Sequence, residues 1–121
     1  FLHRYALAIL PSEDDVRGLS PREDLLRSAG IPIIATAPAD ADDVHFVSRF
    51  FAPTLGVLED PVTGSAHCQL VPYWAARFGA RELVARQIST RGGRLRCRLD
   101  DDRVQLAGGA RIYLRGTIEV G

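Results

Sequence analysis

One apolar helix, opened by a turn that contains proline and glycine, most constrains how this chain can fold. Residues 59–67 read Glu-Asp-Pro-Val-Thr-Gly-Ser-Ala-His, and four apolar residues then recur at intervals of four: Ala66, Leu70, Trp74 and Phe78. This spacing predicts a helix over residues 64–78 that Gly79 ends and that buries one stripe of side chains. Pro72 lies inside the helix and predicts a kink there. Other elements of the chain must cover the apolar stripe.

Most of the remaining chain predicts β-strands, at residues 3–10, 31–36, 44–51 and 82–89. Leu95, Cys97 and Leu99 alternate with arginines, which is typical of a half-exposed strand. Val104 and Leu106 continue that inner face after a turn at residues 100–102. Beyond a turn at Gly108 and Gly109, a last inner face is predicted to consist of Ile112, Leu114, Ile118 and Val120.

Residues 12–28 predict one or two short helices, with Ser20 as N-cap, Pro21 as the first helical residue and Gly30 at the end. Together these elements predict an α+β fold. We expect a mixed, mostly antiparallel β-sheet or barrel wrapped around one central apolar helix. A chain of 121 residues suits a single domain.

The start of the central helix predicts a place for an anion or a substrate. Thr63 is the predicted N-cap, so the N–H groups of Gly64, Ser65 and Ala66 lack intrahelical partners. The helix dipole favours a carboxylate or phosphate in front of them. Asp60 adds a carboxylate at the rim, and Ser65 adds a hydroxyl. We call residues 60–66 the cradle.

Charge and composition exclude several classes of function. The formal net charge is zero, which argues against nonspecific binding to nucleic acid or to an anionic membrane. All 15 basic residues are arginine, so the chain offers no lysine for a Schiff base or a P-loop. Cys68, Cys97 and the three histidines have no metal-ligand spacing. Two free thiols are expected rather than a disulfide, as in a cytoplasmic protein.

The cradle also resembles part of a known family. Residues 49–53, Gly56 and residues 59–67 are similar to the second half of the phenazine-biosynthesis isomerase family, which has the diaminopimelate-epimerase-like fold. The likeness continues through residues 73–74, 87–93 and 103–110, and so covers nearly the whole chain. It implies the C-terminal lobe of a two-lobed protein with its active site between the lobes. The N-terminal lobe is then the expected partner and supplies a glutamate as general acid/base and a Gly-His pair. Since the chain lacks Met and begins at Phe1, we expect it to be part of a longer product.

The resemblance implies an isomerase that transfers a proton on a small carboxylic acid, without a metal or an organic cofactor. Its catalytic residues on this chain are expected to be Asp60 and Ser65. Substrate binding is expected from Glu59, Thr63, Gly64, Ser65 and Ala66. Relatives with this fold that use two cysteines need a thiol in the loop, and residues 58–66 contain none.

Plainer interpretations of the same residues remain open. Asp60 alternatively caps a turn or pairs with an arginine, and Ser65 is alternatively an ordinary helix-start residue. His67 is more simply a core or supporting histidine than a proton shuttle, and Arg49 a salt-bridged strand residue. Glu59 is alternatively structural. At the level of the protein, the alternative is a lobe without catalysis that binds a small anion or another protein. An uncovered cleft face favours pairing with the missing lobe or formation of a homodimer.

Overall fold

A computed structural model describes residues 4–121 of the chain; His3, in the first predicted strand, lies outside them. The described residues form three α-helices, one 3₁₀ helix and seven strands. In chain order these are β1 (Ala6–Ile9), α1 (Glu13–Arg17), α2 (Glu23–Ala29), β2 (Ile33–Pro38), β3 (Phe46–Ala52), the 3₁₀ helix (Pro53–Leu55), β4 (Val57–Asp60), α3 (Gly64–Phe78), β5 (Glu82–Gln87), β6 (Gly93–Asp100) and β7 (Arg103–Gly108).

The strands form one mixed sheet in the order β1-β2-β3-β5-β6-β7, and β4 also pairs with β3. The pairings β1–β2 and β3–β5 are parallel. The pairings β2–β3, β3–β4, β5–β6 and β6–β7 are antiparallel. The predicted mixed, mostly antiparallel sheet is therefore confirmed, and β1 and β7 are its outer edges.

The helix α3 is the central apolar element that the sequence predicts. A single buried cluster joins its inner stripe to side chains from both ends of the sheet, such as Leu7 near one edge and Val104 near the other. Trp74 is 2% exposed and stacks on Phe46 with ring centroids 5.7 Å apart. Its indole N–H donates to Thr36 Oγ1 at 3.1 Å, which satisfies the buried polar atom. The sheet thus curves around one face of α3.

A second buried cluster covers the opposite face of β2 and β3, where Val16 of α1 packs with Val47 and Phe51. All residues of β3 are buried except Arg49, which is partly buried. Both faces of this strand are covered, which explains why apolar residues lie on both of its faces instead of on one. The prediction of a central strand here is confirmed.

One helix boundary and one burial differ from the predictions. The N-cap of α2 is Arg22, not Ser20, and the acidic pair Glu23 and Asp24 occupies its first turn. Acidic side chains favour the positive end of the helix dipole, so the helix begins there rather than at Pro21. Phe78 is 43% exposed instead of buried. It lies in the last turn of α3, where Trp74 stacks on its ring and leaves part of the ring open to solvent. The helix runs from Gly64 to Phe78 as predicted, and Gly79 ends it with φ of 62°.

The prediction of a last strand, after Gly109, is wrong. Residues 109–121 are exposed and form no strand, and the apolar side chains expected on an inner face are 70–90% exposed: Ile112, Leu114, Ile118 and Val120. The reason is that β7 is an edge of the sheet, so no described part of the chain lies where these side chains could pack. The short strand β4 was not predicted. None of the helices in the described part of the chain is long and apolar enough to cross a membrane.

Candidate functional site

The strand β4 delivers Asp60 to the start of α3. Asp60 pairs with Phe50 of β3, whose side chain belongs to the cluster around α3, whereas Glu59 pairs with Phe51 of the opposite cluster. Because successive strand residues point to opposite faces, Asp60 lies on the α3 side of the sheet and Glu59 on the other. The structure therefore separates two neighbouring carboxylates that the sequence places in one site.

Glu59 forms an ion pair with Arg49 instead of facing the cradle. The guanidinium donates from Nε and Nη2 to the two carboxylate oxygens at 2.7 and 2.8 Å. Arg49 also donates to the carbonyl oxygen of Leu19 at 2.8 Å, and Glu59 raises the pKa of the guanidinium. The predicted salt-bridged role of Arg49 is confirmed. This pair links the segment after α1 to β3 and β4, and thereby holds the strand that carries Asp60.

Gln87, the last residue of β5, holds the turn between Asp60 and Thr63. Its side-chain N–H₂ donates to the carbonyl oxygen of Asp60 at 2.7 Å and to Thr63 Oγ1 at 3.0 Å. Its side-chain oxygen accepts the N–H of Thr63 at 2.7 Å. Gln87 is 1% exposed, so these bonds form away from water, where an unpaired amide is costly. The turn is fixed by a residue from a distant strand.

Thr63 occupies the N-cap position of α3, as predicted, but its hydroxyl does not cap the helix. The hydroxyl donates to Asp60 Oδ2 instead. No side chain in the described chain bonds to the first-turn N–H groups as a cap, so the amides of Gly64 and Ser65 remain available to a ligand. Gly64 and Ser65 are exposed, whereas Ala66 is 1% exposed and faces the core.

The Ser65 hydroxyl lies beside a tyrosine from near the start of the described chain. Tyr5 Oη is 3.0 Å from Ser65 Oγ, and Tyr5 itself is 6% exposed. On the other side of the helix start, Leu106 of β7 lies near Gly64. The cradle is therefore bordered by residues from both edges of the sheet.

His67 is a core histidine, as the plainer interpretation predicted. It is fully buried, and its ring lies 6.1 Å from that of Phe46. Nδ1 lies 2.7 Å from the carbonyl oxygen of Thr63, which can only accept, so Nδ1 carries the proton. Burial lowers the pKa of His67, which favours the neutral ring. Nε2 then has a buried lone pair without a partner among the described residues.

The segment after β5 and the start of β6 contact the turn at Pro61 and Val62. Ser89 Oγ donates to the carbonyl oxygen of Pro61 at 2.7 Å and accepts the N–H of Gly92 at 3.0 Å. A Cβ at Gly93 would lie 2.3 Å from Val62 Cγ2, so only glycine fits against the turn. Gly92 has φ of 69°, a conformation that side chains rarely adopt.

The site thus unites Asp60, Thr63, Gly64 and Ser65, while Glu59 lies apart and Ala66 offers only its backbone. Sequence reasoning missed Gln87 and Tyr5. Gln87 lies in a segment that carries the family resemblance, but no sequence pattern indicates that it bonds to the turn at residues 60–63. The structure brings no group of three His, Cys, Asp or Glu residues together as a metal site within residues 4–121. Both cysteines are free thiols, as predicted.

The arrangement has two chemical capacities. Backbone N–H groups at a helix start bind an anion, and the Ser65 hydroxyl adds a donor beside them. Asp60 offers a carboxylate that can accept or hold a proton, with one oxygen bonded to Thr63. The chain presents these groups together on one surface.

Comparisons with known proteins agree with this fold. The model of the phenazine biosynthesis-like protein family matches residues 3–116. An uncharacterized isomerase of Pseudomonas aeruginosa is 50% identical over 117 residues, which are 94% of this chain and 43% of that protein. Phenazine biosynthesis-like domain-containing protein 1 of Mus musculus is 47% identical over 85% of this chain and 33% of its own.

Solved structures give the same result. A phenazine biosynthesis protein of the PhzF family from Enterococcus faecalis superposes with a TM-score of 0.87 at 39% identity, over 94% of this chain and 44% of that one. A putative phenazine biosynthesis protein from Clostridium difficile superposes with a TM-score of 0.80 at 41% identity, with the same coverage. The chain therefore spans less than half the length of these relatives.

Proposed function

Because the chain belongs to the phenazine biosynthesis-like protein family, we propose that it is one lobe of an isomerase that transfers a proton on a small carboxylic acid. The observation that carries the proposal is the cradle. An exposed helix start with free N–H groups lies beside Asp60, whose carboxylate accepts a hydrogen bond from Thr63 and whose backbone carbonyl accepts one from Gln87. The catalytic partner of Asp60 is then a glutamate on a lobe outside this chain. The two free thiols fit the cytoplasm as its place of action.

The proposed mechanism divides the work between the two lobes. The amides of Gly64, Ser65 and Ala66 and the Ser65 hydroxyl bind the substrate carboxylate. Negative charge grows on that carboxylate as a proton leaves the adjacent carbon, and donors already in place stabilise it. Asp60 takes or returns the proton on one side of the substrate, and the glutamate of the second lobe transfers a proton on the other side. No cofactor is needed in this scheme.

The test uses the complete protein with both lobes. Proton exchange is followed by NMR as deuterium uptake from D₂O into a panel of unsaturated and α-substituted carboxylic acids. We expect Asp60→Asn and Ser65→Ala each to reduce the exchange rate at least about ten-fold. The matched controls are Asp101→Asn in the β6–β7 turn and Ser28→Ala on α2, which should exchange at the wild-type rate. Full activity in Asp60→Asn would remove Asp60 from the mechanism.

A second candidate is an anion-binding lobe without catalysis. The exposed helix start favours it equally, because N–H groups at such a position bind phosphate as well as carboxylate. Under this alternative, phosphate or acetate raises the unfolding temperature and Ser65→Ala reduces the shift. The complete protein then exchanges no proton on any acid of the panel.

A further inference from the structure

Tyr5 and Ser65 are sixty residues apart in sequence, yet their hydroxyl oxygens lie 3.0 Å apart. Tyr5 is 6% exposed, whereas Ser65 is exposed at the start of α3. We propose that Tyr5 is a positioning residue that turns the proton of the Ser65 hydroxyl toward the substrate carboxylate. This inference rests on the proposed function, since it assigns a role inside the same site.

Two contacts hold the tyrosine ring and its backbone in place. The ring meets Phe50 edge-on with centroids 4.9 Å apart. The carbonyl oxygen of Tyr5 accepts a hydrogen bond from Gln69 Nε2 at 2.8 Å. Gln69 lies one turn after Ser65 on the same helix, so one helix holds both the backbone of Tyr5 and the serine. The phenol oxygen has a fixed position relative to the cradle.

The chemistry of the two hydroxyls decides which of them donates. Each has one proton and two lone pairs. A phenol is a stronger acid than an aliphatic alcohol, so the favoured arrangement has Tyr5 donating to Ser65 Oγ. The serine proton is then free for an external acceptor. Donation from Tyr5 also polarises the Ser65 hydroxyl and strengthens the bond that it donates.

Without the tyrosine, the serine has another use for its hydroxyl. Serine near a helix start readily bonds to the local backbone, which would turn its oxygen toward the helix N–H groups. Such a bond would occupy donors that the substrate needs. Tyr5 therefore favours the rotamer in which the serine hydroxyl and the helix amides address the same ligand.

The experiment measures binding of sodium acetate to the chain by NMR, from the amide shifts of Gly64, Ser65 and Ala66, with sodium chloride matching the ionic strength. We expect Ser65→Ala to weaken binding about ten-fold, because it removes a bond to a charged group. Tyr5→Phe keeps the ring and should weaken binding about five-fold. Tyr113→Phe, whose side chain is fully exposed, is the matched control and should bind like the wild type.

The double variant separates positioning from simple loss of structure. If Tyr5 acts through Ser65, Tyr5→Phe adds no further loss once Ser65 is alanine. Wild-type affinity in Tyr5→Phe, with weak binding in Ser65→Ala, overturns the inference and leaves the proposed function standing. Equal affinity in Ser65→Ala and wild type, or no saturable binding in the wild type, overturns the carboxylate-binding role of the cradle and the inference with it.

A measurement on the unaltered chain covers the case in which Tyr5→Phe does not fold. The ¹³Cζ shift of Tyr5 should change along the acetate titration with the same midpoint as the Ser65 amide, since the two hydroxyls share a hydrogen bond. The ¹³Cζ shifts of Tyr73 and Tyr113 should stay constant. A Tyr5 shift that does not respond while the Ser65 amide does would contradict the inference.

Discussion

At the scale of single residues, buried polar contacts rather than the exposed groups define the site. The carboxylate of Asp60 and the hydroxyl of Ser65 are each held by one neighbour, Thr63 and Tyr5 respectively. Gln87 in turn holds Thr63 and the backbone of Asp60. The two candidate groups are thus oriented by the fold itself, and under the proposed function this lowers the entropy cost of binding a ligand.

Replacing Gln87 should destabilise the chain as well as the cradle. Gln87→Leu keeps the approximate volume but leaves the N–H of Thr63 and the carbonyl oxygen of Asp60 unpaired in a buried place. We expect a loss of about 2 to 4 kcal/mol in the free energy of unfolding, measured with urea. Gln105→Leu removes one exposed hydrogen bond and is the control, with a change below about 0.5 kcal/mol. Equal stability of both variants would show that the three bonds contribute nothing net.

His67 should make stability depend on pH. Burial lowers its pKa in the folded state below the ordinary value of 6.5, so the unfolded chain binds a proton that the folded chain resists. Stability is therefore full above about pH 6.5 and falls, as the pH decreases below that value, toward the lowered folded-state pKa. The slope contributed by one proton is at most about 1.4 kcal/mol per pH unit.

The measurement is the urea unfolding free energy between pH 7.5 and 5.5, a window above the range in which most carboxylates titrate. His67→Asn keeps a nitrogen near Nδ1 for the Thr63 carbonyl and removes the titrating group, so the slope should decrease. Ser28→Ala, which removes no titrating group, is the control and should retain the wild-type slope. An unchanged slope in His67→Asn would assign the pH dependence to other groups.

At the scale of elements, the cradle depends on how closely the start of β6 approaches the turn before α3. Gly93→Ala places a methyl group where Val62 already lies, with 2.3 Å between Cβ and Cγ2. The turn must move, which should cost about 1 to 3 kcal/mol of stability and weaken acetate binding at the cradle. Gly109→Ala meets no atom within 4 Å and is the control. Urea unfolding and the NMR titration measure both effects.

At the scale of the whole molecule, one apolar segment lies uncovered. Residues 109–121 carry Tyr113 at 100% exposure besides the four exposed aliphatic side chains described above. Apolar groups that remain together in water favour association, so we expect the chain to self-associate as its concentration rises. Sedimentation velocity should detect this, and replacing Ile112, Leu114, Ile118 and Val120 with serine should abolish it.

A matched control keeps this prediction specific. The exposed apolar residues Leu55 and Val57 lie elsewhere on the surface, near the 3₁₀ helix, and their replacement by serine should leave the sedimentation behaviour unchanged. A purely monomeric wild-type chain at all concentrations would contradict the expectation. Self-association that persists in the fourfold serine variant would assign it to another surface.

The sequence alone determined those features whose causes are local. Glycine readily adopts the left-handed conformation that ends a helix. The position of Gly79 after the apolar stripe was therefore enough to predict where α3 ends. The alternation of arginines with Leu95 and Cys97 likewise placed β6 with one buried face, because a strand repeats every two residues. The likeness of residues 59–67 to a known family located the cradle for the same reason, since its turn and helix start are contiguous.

Only the tertiary structure decided which side chains meet across the chain. Glu59 and Asp60 are neighbours in sequence, but their pairing with β3 sends them to opposite faces of the sheet. Tyr5 and Gln87 join the cradle across separations of 60 and 24 residues, and no local pattern encodes such contacts. The alternating apolar residues after Gly109 predicted a strand that the structure does not contain. A strand also needs a partner with free backbone groups, and sequence periodicity does not reveal whether one is present.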